Sequence, residues 1–197
     1  GKYLSTNPHY FERYQILKNL NQSTIYQFKS DSLFFDGDSS IPLYRGHRQY
    51  QKISEEILLN SVDLATDYLI RSISHSGKFN YSYEPKIDND KTAYIILRHA
   101  GSVYSMLEAY EVTHADKILS AAQKGIRYLV HQMQEVTINN QTALVVVEDN
   151  HIKLGGNALA ALAIAKYIQV TQDNNYLPTL LKLGTWIVNT QNAQGEF

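Results

Sequence analysis

The sequence predicts an all-α fold with one minor β-hairpin, namely an α/α toroid of repeated helical hairpins. Three observations favour it: an aromatic–aliphatic helix end recurs, wholly apolar helices alternate with amphipathic ones, and polar loops separate them. The recurring aromatics are Tyr68, Tyr128 and Trp186, which lie 60 and 58 residues apart. Repeats of this length are typical of arrays in which each hairpin buries its apolar face against the next. Because 197 residues hold too few repeats to close a ring, we expect an incomplete array that continues beyond Phe197.

The predicted domain organisation follows from where the repeat begins. Residues 1–50 do not fit it and are predicted to be an irregular N-terminal segment, whereas residues 51–197 form the helical-hairpin domain. Apolar residues at spacings of three and four from Leu58 to Ile73 predict an amphipathic outer helix with one wet face. The run Ala158–Ala165 is apolar on every face, so we expect an inner helix that is buried all round.

Five helices and one strand pair are predicted in this domain. The helices cover residues 55–73, 99–112, 115–133, 156–171 and 175–191, and the second and fourth of them are the inner helices. Strand content lies near 135–148, where two β-branched runs flank a turn at Asn139-Asn140-Gln141. Each inner helix follows a polar loop, and the N–H groups at a helix N-terminus suit polar ligands.

The amino-acid composition excludes or disfavours several classes of function. The 18 Lys and Arg residues nearly balance the 19 Asp and Glu residues, so the net charge of -1 gives no reason to expect nucleic acid. No stretch approaches the roughly 20 apolar residues that span a bilayer. The absence of cysteine excludes disulfides and thiol-held metals, and we predict no cofactor and no metal site. The chain opens without Met, which favours a removed leader and an extracytoplasmic location.

The most specific motif lies at the end of the sequence. Thr185-Trp186-Ile187 is followed by Gln191, Gly195 and Phe197. The pattern resembles the QW repeat of terpenoid cyclases, in which an aromatic–aliphatic helix end precedes Gln, three residues, Gly, one residue and an aromatic residue. The resemblance implies the α/α toroid of terpenoid cyclases and prenyltransferase β-subunits, which six-hairpin glycosidases, polysaccharide lyases and sugar epimerases share at this level. It also implies a structural role for Gln191, tethering a helix end.

Arg98 and His99 are the main catalytic candidates, together with Glu84. Both lie where an inner helix begins, directly after a polar loop. His99 can transfer protons near neutral pH, and Arg98 can bind a carboxylate or phosphate through two hydrogen bonds. Glu84 could work with the acids of the next loop as an acid–base pair for glycoside cleavage. The alternative is that His99 caps the helix, Arg98 pairs with Glu84, and the acids are solvated.

Five further residues are candidate substrate contacts. Tyr81 and Tyr83 could stack on sugar rings or donate protons, although loop tyrosines also serve packing. Glu148, Asp149 and His151 lie on the loop before the second inner helix and could bind substrate polar groups. His151 could join His99 at a metal, but the spacing matches no known metal motif.

These residues favour a carbohydrate-active enzyme, namely a glycan hydrolase, lyase or epimerase with its site at the inner-helix N-termini and a small molecule or glycan as substrate. One alternative is a non-catalytic binding or scaffold protein. Another is an isoprenoid-handling, cyclase-like enzyme, which needs an apolar, aromatic-lined cavity. The acid motif Asp-x-Asp-Asp of the cyclases is not matched at Asp88-Asn89-Asp90, which disfavours that last alternative.

Overall fold

A computed structural model describes residues 30–43, 52–84, 86, 89–90 and 94–197. The chain divides into two compact units, with the boundary between Lys52 and Ile53. Most of the segment predicted to be irregular, 1–50, lies outside the described residues. Its described part forms an antiparallel hairpin of β1 (Ser32–Phe35) and β2 (Ser40–Leu43).

The second unit contains the predicted helices. They match the predicted ranges to within three residues at each end. The helices are α1 (Glu55–Ser72), α2 (Ile96–Thr113), α3 (Asp116–His131), α4 (Leu154–Thr171) and α5 (Leu177–Asn189), with a 3-10 turn at Asn174–Tyr176. The described strands are β3 (Tyr83–Glu84), β4 (Asn89–Asp90), β5 (Met133–Ile138), β6 (Gln141–Glu148) and β7 (His151–Ile152).

An internal repeat is visible where α2 and α4 end. Thr113 and Thr171 each donate a hydroxyl hydrogen bond to the carbonyl four residues back, and each hydroxyl accepts from the amide two residues on. The residues between, His114 and Gln172, adopt the left-handed conformation with φ of 52° and 58°. The two helices therefore end by the same hydrogen-bonding scheme, 58 residues apart.

The core is centred on α2 and α4, which pack against each other along their lengths. Glycine permits the close approach, because a Cβ on Gly155 would lie 3.0 Å from Leu97 Cδ1. α3 packs against α2, and α5 packs against α4 and β6. The largest fully buried apolar side chains are Val103, Met106, Leu107, Ile118, Ile126, Leu129, Val145, Ile164 and Leu183.

A three-stranded antiparallel sheet, β5–β6–β7, lies between α3 and α4 in the sequence. The predicted hairpin is confirmed, and Asn139 and Asn140 form its two-residue turn with φ of 49° and 60°. The turn from β6 to β7 has the same geometry at Asp149 and Asn150, with φ of 49° and 61°, and was not predicted. Positive φ at both central residues is the geometry of a type I′ turn, which Asn and Asp tolerate.

Asn157 joins the first half of α4 to the sheet. Its side chain is fully buried. Oδ1 accepts the Val146 N–H at 2.7 Å, and Nδ2 donates to the carbonyls of Val146 at 3.3 Å and Lys153 at 2.9 Å. The amide thus pairs with β6 as a neighbouring strand would, and it satisfies backbone groups that water cannot reach.

The predicted all-α toroid is wrong. The described chain is mixed α/β, with five α-helices and antiparallel sheets of two, two and three strands, and five helices are too few for a ring of repeated hairpins. Strand β6 belongs to the core, because it packs against α5 and buries Ala143, Val145 and Val146. α4 is not enclosed on all sides, since Leu162 is 52% exposed. None of the described helices is both long and apolar enough to cross a bilayer.

Candidate functional site

Arg98 and His99 line one small cavity of about 150 Å³, at the first turns of α2. The end of α1 and the segment 79–81 supply its other walls. Aromatic and polar side chains share the lining, which includes Tyr68, Ser72, Asn80, Tyr81, Tyr94 and Ser102. We call this cavity the tyrosine cleft.

A tight turn after α1 builds one wall of the tyrosine cleft. The chain folds back so that Ile73 bridges Phe79 in antiparallel fashion, and the Asn80 N–H donates to the Ser72 carbonyl at 2.7 Å. Gly77 closes the turn with a φ of 87°, a conformation that residues with a Cβ avoid. The segment after the turn therefore runs back along the end of α1.

Four groups form a chain of hydrogen bonds behind this wall, which we call the Tyr94–His99 relay. The Phe79 N–H donates to Tyr94 Oη at 3.1 Å, Tyr94 Oη lies 2.6 Å from His99 Nδ1, and His99 Nε2 lies 2.9 Å from the Gly125 carbonyl oxygen. Because a carbonyl only accepts, Nε2 carries the imidazole proton and Nδ1 accepts from the Tyr94 hydroxyl. Both nitrogens of His99 are therefore engaged.

The surroundings keep both relay side chains neutral. Burial lowers the pKa of His99 and outweighs the opposing effect of its hydrogen bond to Gly125. Burial also raises the pKa of Tyr94 to about 12. Proton transfer from Tyr94 to His99 is therefore strongly uphill at neutral pH. Tyr128 packs on the imidazole with ring centroids 5.0 Å apart, and it completes an aromatic enclosure with Phe79.

The lowered pKa of His99 predicts a pH-dependent stability. The unfolded chain binds a proton near the ordinary His pKa of 6.5, and the folded chain resists that proton. The contribution of neutral His99 to the free energy of unfolding is therefore fully present above about pH 6.5. It declines as the pH falls below that value toward the pKa of His99 in the folded chain. Urea unfolding over a series of pH values should show this decline in the wild type. His99→Gln should lack this component of the decline, because its amide stays neutral.

His114→Gln is the matched control, since His114 is exposed at the end of α2. It should retain the wild-type dependence on pH. An identical pH dependence in the wild type and in His99→Gln would contradict the assignment, because the neighbouring Tyr94 and Tyr128 do not titrate in this range.

Two cations lie over tyrosine rings at the tyrosine cleft. The Arg98 Cζ is 5.2 Å from the centroid of Tyr81, and Lys78 Nζ is 4.8 Å from the centroid of Tyr94. The two rings are themselves in contact, with centroids 5.7 Å apart. The cations are therefore oriented by ring faces, an arrangement that leaves their N–H groups able to bind a ligand.

Glu148 stabilises the beginning of α2. Its Oε2 accepts the Ile96 N–H at 2.6 Å, where the N-cap residue Ile95 makes no side-chain cap, and its Oε1 pairs with Lys153. Burial raises the pKa of Glu148, but the hydrogen bonds from Lys153 and Ile96 outweigh burial and lower its pKa overall. The carboxylate is therefore engaged as a helix cap rather than exposed in the tyrosine cleft.

Asp149, His151 and Glu84 are not among the described residues that line the tyrosine cleft. Asp149 is a turn residue, and its carbonyl accepts from His151 Nδ1 at 2.7 Å on an exposed surface. Glu84 is half-buried on β3 and is not among the described residues that line the cavity. Tyr83 belongs to the same strand, but its side chain lies outside the described part of the structure.

Tyr94 and Gly125 complete the site, although neither was predicted from the sequence. Tyr94 lies two residues before α2, and only its spacing of five from His99 could have indicated a pairing. The Gly125 carbonyl has no sequence signature. In the described residues, no group of three His, Asp or Glu side chains is placed to hold a metal ion. Comparisons of the chain with family models, with curated proteins and with solved structures gave no match.

Proposed function

We propose that this chain binds a saccharide unit in the tyrosine cleft. The observation that carries the proposal is the combination of aromatic ring faces and hydrogen-bonding side chains around one small cavity. Sugar rings present apolar C–H faces, which pack on aromatic rings, and hydroxyls, which require hydrogen-bond partners. Tyr81 and Tyr94 offer ring faces, and Ser72, Ser102 and Arg98 offer polar groups.

The size of the cavity supports a single sugar ring. The tyrosine cleft has a volume of about 150 Å³, and one water in the liquid takes up about 30 Å³. The cavity therefore has room for about five waters, or for a single sugar ring in their place. A longer glycan would extend beyond it along the surface.

The proposal concerns binding rather than turnover. A general acid or base must reach the reacting atom and have a pKa near the working pH. His99 is buried, with both ring nitrogens hydrogen-bonded within the protein, and its pKa is lowered by burial. Hydrolase, lyase or epimerase activity remains a prediction from the sequence. The geometry around His99 favours the non-catalytic binding alternative.

The isoprenoid alternative receives less support. A second cavity of about 360 Å³ between α1 and α2 is apolar, with Val62, Leu69, Ala109 and Val112 in its wall. Isoprenoid cyclisation needs aromatic faces that stabilise carbocations, and the described lining of this cavity contains no aromatic side chain.

Tyr81→Ala tests the proposal. Loss of one ring face should weaken saccharide binding about tenfold, which corresponds to about 1.4 kcal/mol. The measurement is isothermal titration calorimetry with three tetrasaccharides, namely neutral cellotetraose, tetragalacturonate and a sulfated heparin fragment. Phe197→Ala removes an exposed aromatic that does not line the tyrosine cleft and should bind like the wild type. If none of the three sugars bound the wild type, or if Tyr81→Ala bound like the wild type, the proposal would be rejected.

A further inference from the structure

The tyrosine cleft opens into a longer groove. A neighbouring cavity of about 410 Å³ shares Ser72, Asn80, Tyr81 and Tyr94 with it, and a third of about 290 Å³ shares Ser72 and Asn80. The adjoining cavities together exceed the space that one sugar ring needs. They run along the end of α1 and the turn that follows it.

The described charged residues along this groove are all basic. Arg98 lines the first cavity, Lys78 the second, and Arg71 the second and third. Within the part of the chain that the structure describes, no Asp or Glu lines any of the three. The protein as a whole has a net charge of -1, so this basic groove is a local feature and does not reflect composition.

No described carboxylate forms a salt bridge with these cations. The described salt bridges pair other cations with acids, namely Lys117, Lys153, Lys166 and Lys182. Asp67, one turn before Arg71 on α1, is paired with Lys117 at 2.8 Å. The hydrogen bond and charge of Lys117, and to a smaller extent the charge of Arg71, lower the pKa of Asp67. Lys78 and Arg98 instead lie over the rings of Tyr94 and Tyr81. The groove therefore presents positive charge that an external anion can complement.

We infer that the ligand of the groove is an anionic glycan, whose carboxylate or sulfate groups bind Arg98, Lys78 and Arg71 while a sugar ring packs on Tyr81. The inference rests on the proposed saccharide function and names its ligand class. An arginine fork matches an oxyanion with two parallel hydrogen bonds, and lysine adds a point charge. Negative groups on neighbouring sugar units would be spaced along the groove as the cations are, in successive cavities.

The three tetrasaccharides test the charge directly. Tetragalacturonate or the heparin fragment should bind at least about tenfold more tightly than cellotetraose. Lys78→Gln and Arg98→Gln should each weaken the charged ligand about tenfold, and added salt should weaken it further. Arg98→Lys should recover only part of the loss, because the planar fork is absent. The matched controls Lys182→Gln and Arg127→Gln remove the same charges away from the groove and should bind like the wild type.

The pattern of binding among the ligands and variants identifies the ligand class. Binding of tetragalacturonate alone identifies a carboxylate, and binding of the heparin fragment alone identifies a sulfate; both support the inference. Equal binding of cellotetraose, with loss in Tyr81→Ala but not in Lys78→Gln or Arg98→Gln, overturns the anionic ligand and leaves the saccharide function standing. Equally tight binding of inorganic sulfate overturns the glycan and leaves only an anion site. Equal losses in the groove variants and in the two controls also overturn the inference.

Discussion

Gly77→Ala should lower the free energy of unfolding by about 3 kcal/mol, the largest effect expected of one added methyl group at the described glycines. A Cβ at this position would lie 2.1 Å from the Lys124 carbonyl oxygen, which is backbone of α3 and cannot rotate away. The positive φ of 87° adds strain of its own. The turn that forms one wall of the tyrosine cleft would therefore move away from α3.

Gly195→Ala separates the two causes. Gly195 has a similar φ of 83°, but a Cβ there would meet nothing within 4 Å. Its substitution should therefore cost only the backbone strain, about 1 kcal/mol. Urea unfolding followed by far-ultraviolet circular dichroism measures both. Equal losses in the two variants would mean that contact with Lys124 has no energetic weight.

Asn157→Ala should lower the free energy of unfolding by about 3 kcal/mol. The substitution leaves the N–H and C=O of Val146 without the side-chain partners that Asn157 provides, at a site where Asn157 itself is fully buried. Buried polar groups that lose a partner cost their desolvation energy, because water does not replace the bond. The loss should appear in the same urea unfolding experiment.

Asn189→Ala is the matched control for buried amide bonds. The Asn189 side chain also makes three hydrogen bonds, to the side chains of Asn139 and Gln141 and to the Thr185 carbonyl. The two bonds with side chains are at the surface. Water can take their place, so the expected loss is about 0.5 kcal/mol. If Asn189→Ala cost as much as Asn157→Ala, burial would not be the reason for the effect.

The sequence predicted the elements of the fold better than their assembly. Helix ranges follow from local apolar spacing, which depends on residues a turn apart, and all five were found. The toroid was inferred by extending the repeat, although the repeat contains no information on what covers each helix. Leu162 shows the difference, since it belongs to a wholly apolar run and is nevertheless half-exposed. Strand β7, which has two residues, is too short to produce a detectable pattern.

The sequence also predicted only part of the candidate site, because local patterns do not reveal long-range partners. Tyr81, Arg98 and His99 were selected because a polar loop precedes an inner helix, and they line one cavity. Glu148 was selected by the same rule, but it caps α2 across 52 residues of sequence. Such long-range partners depend on tertiary packing. Gln191 is exposed and donates to the Gly195 carbonyl at 3.3 Å, within the local turn that follows α5, so its role as a tether of a helix end stays a prediction.

The Tyr94–His99 relay has a consequence for the dynamics of the binding surface. It connects the amide of Phe79, in the turn after α1, to the backbone of α3 through the half-buried Tyr94 and the buried His99. If the turn opened alone, the Tyr94 hydroxyl would lose the hydrogen bond that the Phe79 N–H donates to it. We therefore expect the turn and the helices to open as one cooperative unit. Amide hydrogen exchange at Phe79 should then be as slow as exchange in the core. A loop that is rigid before the ligand arrives loses little entropy on binding, and that preorganisation favours affinity.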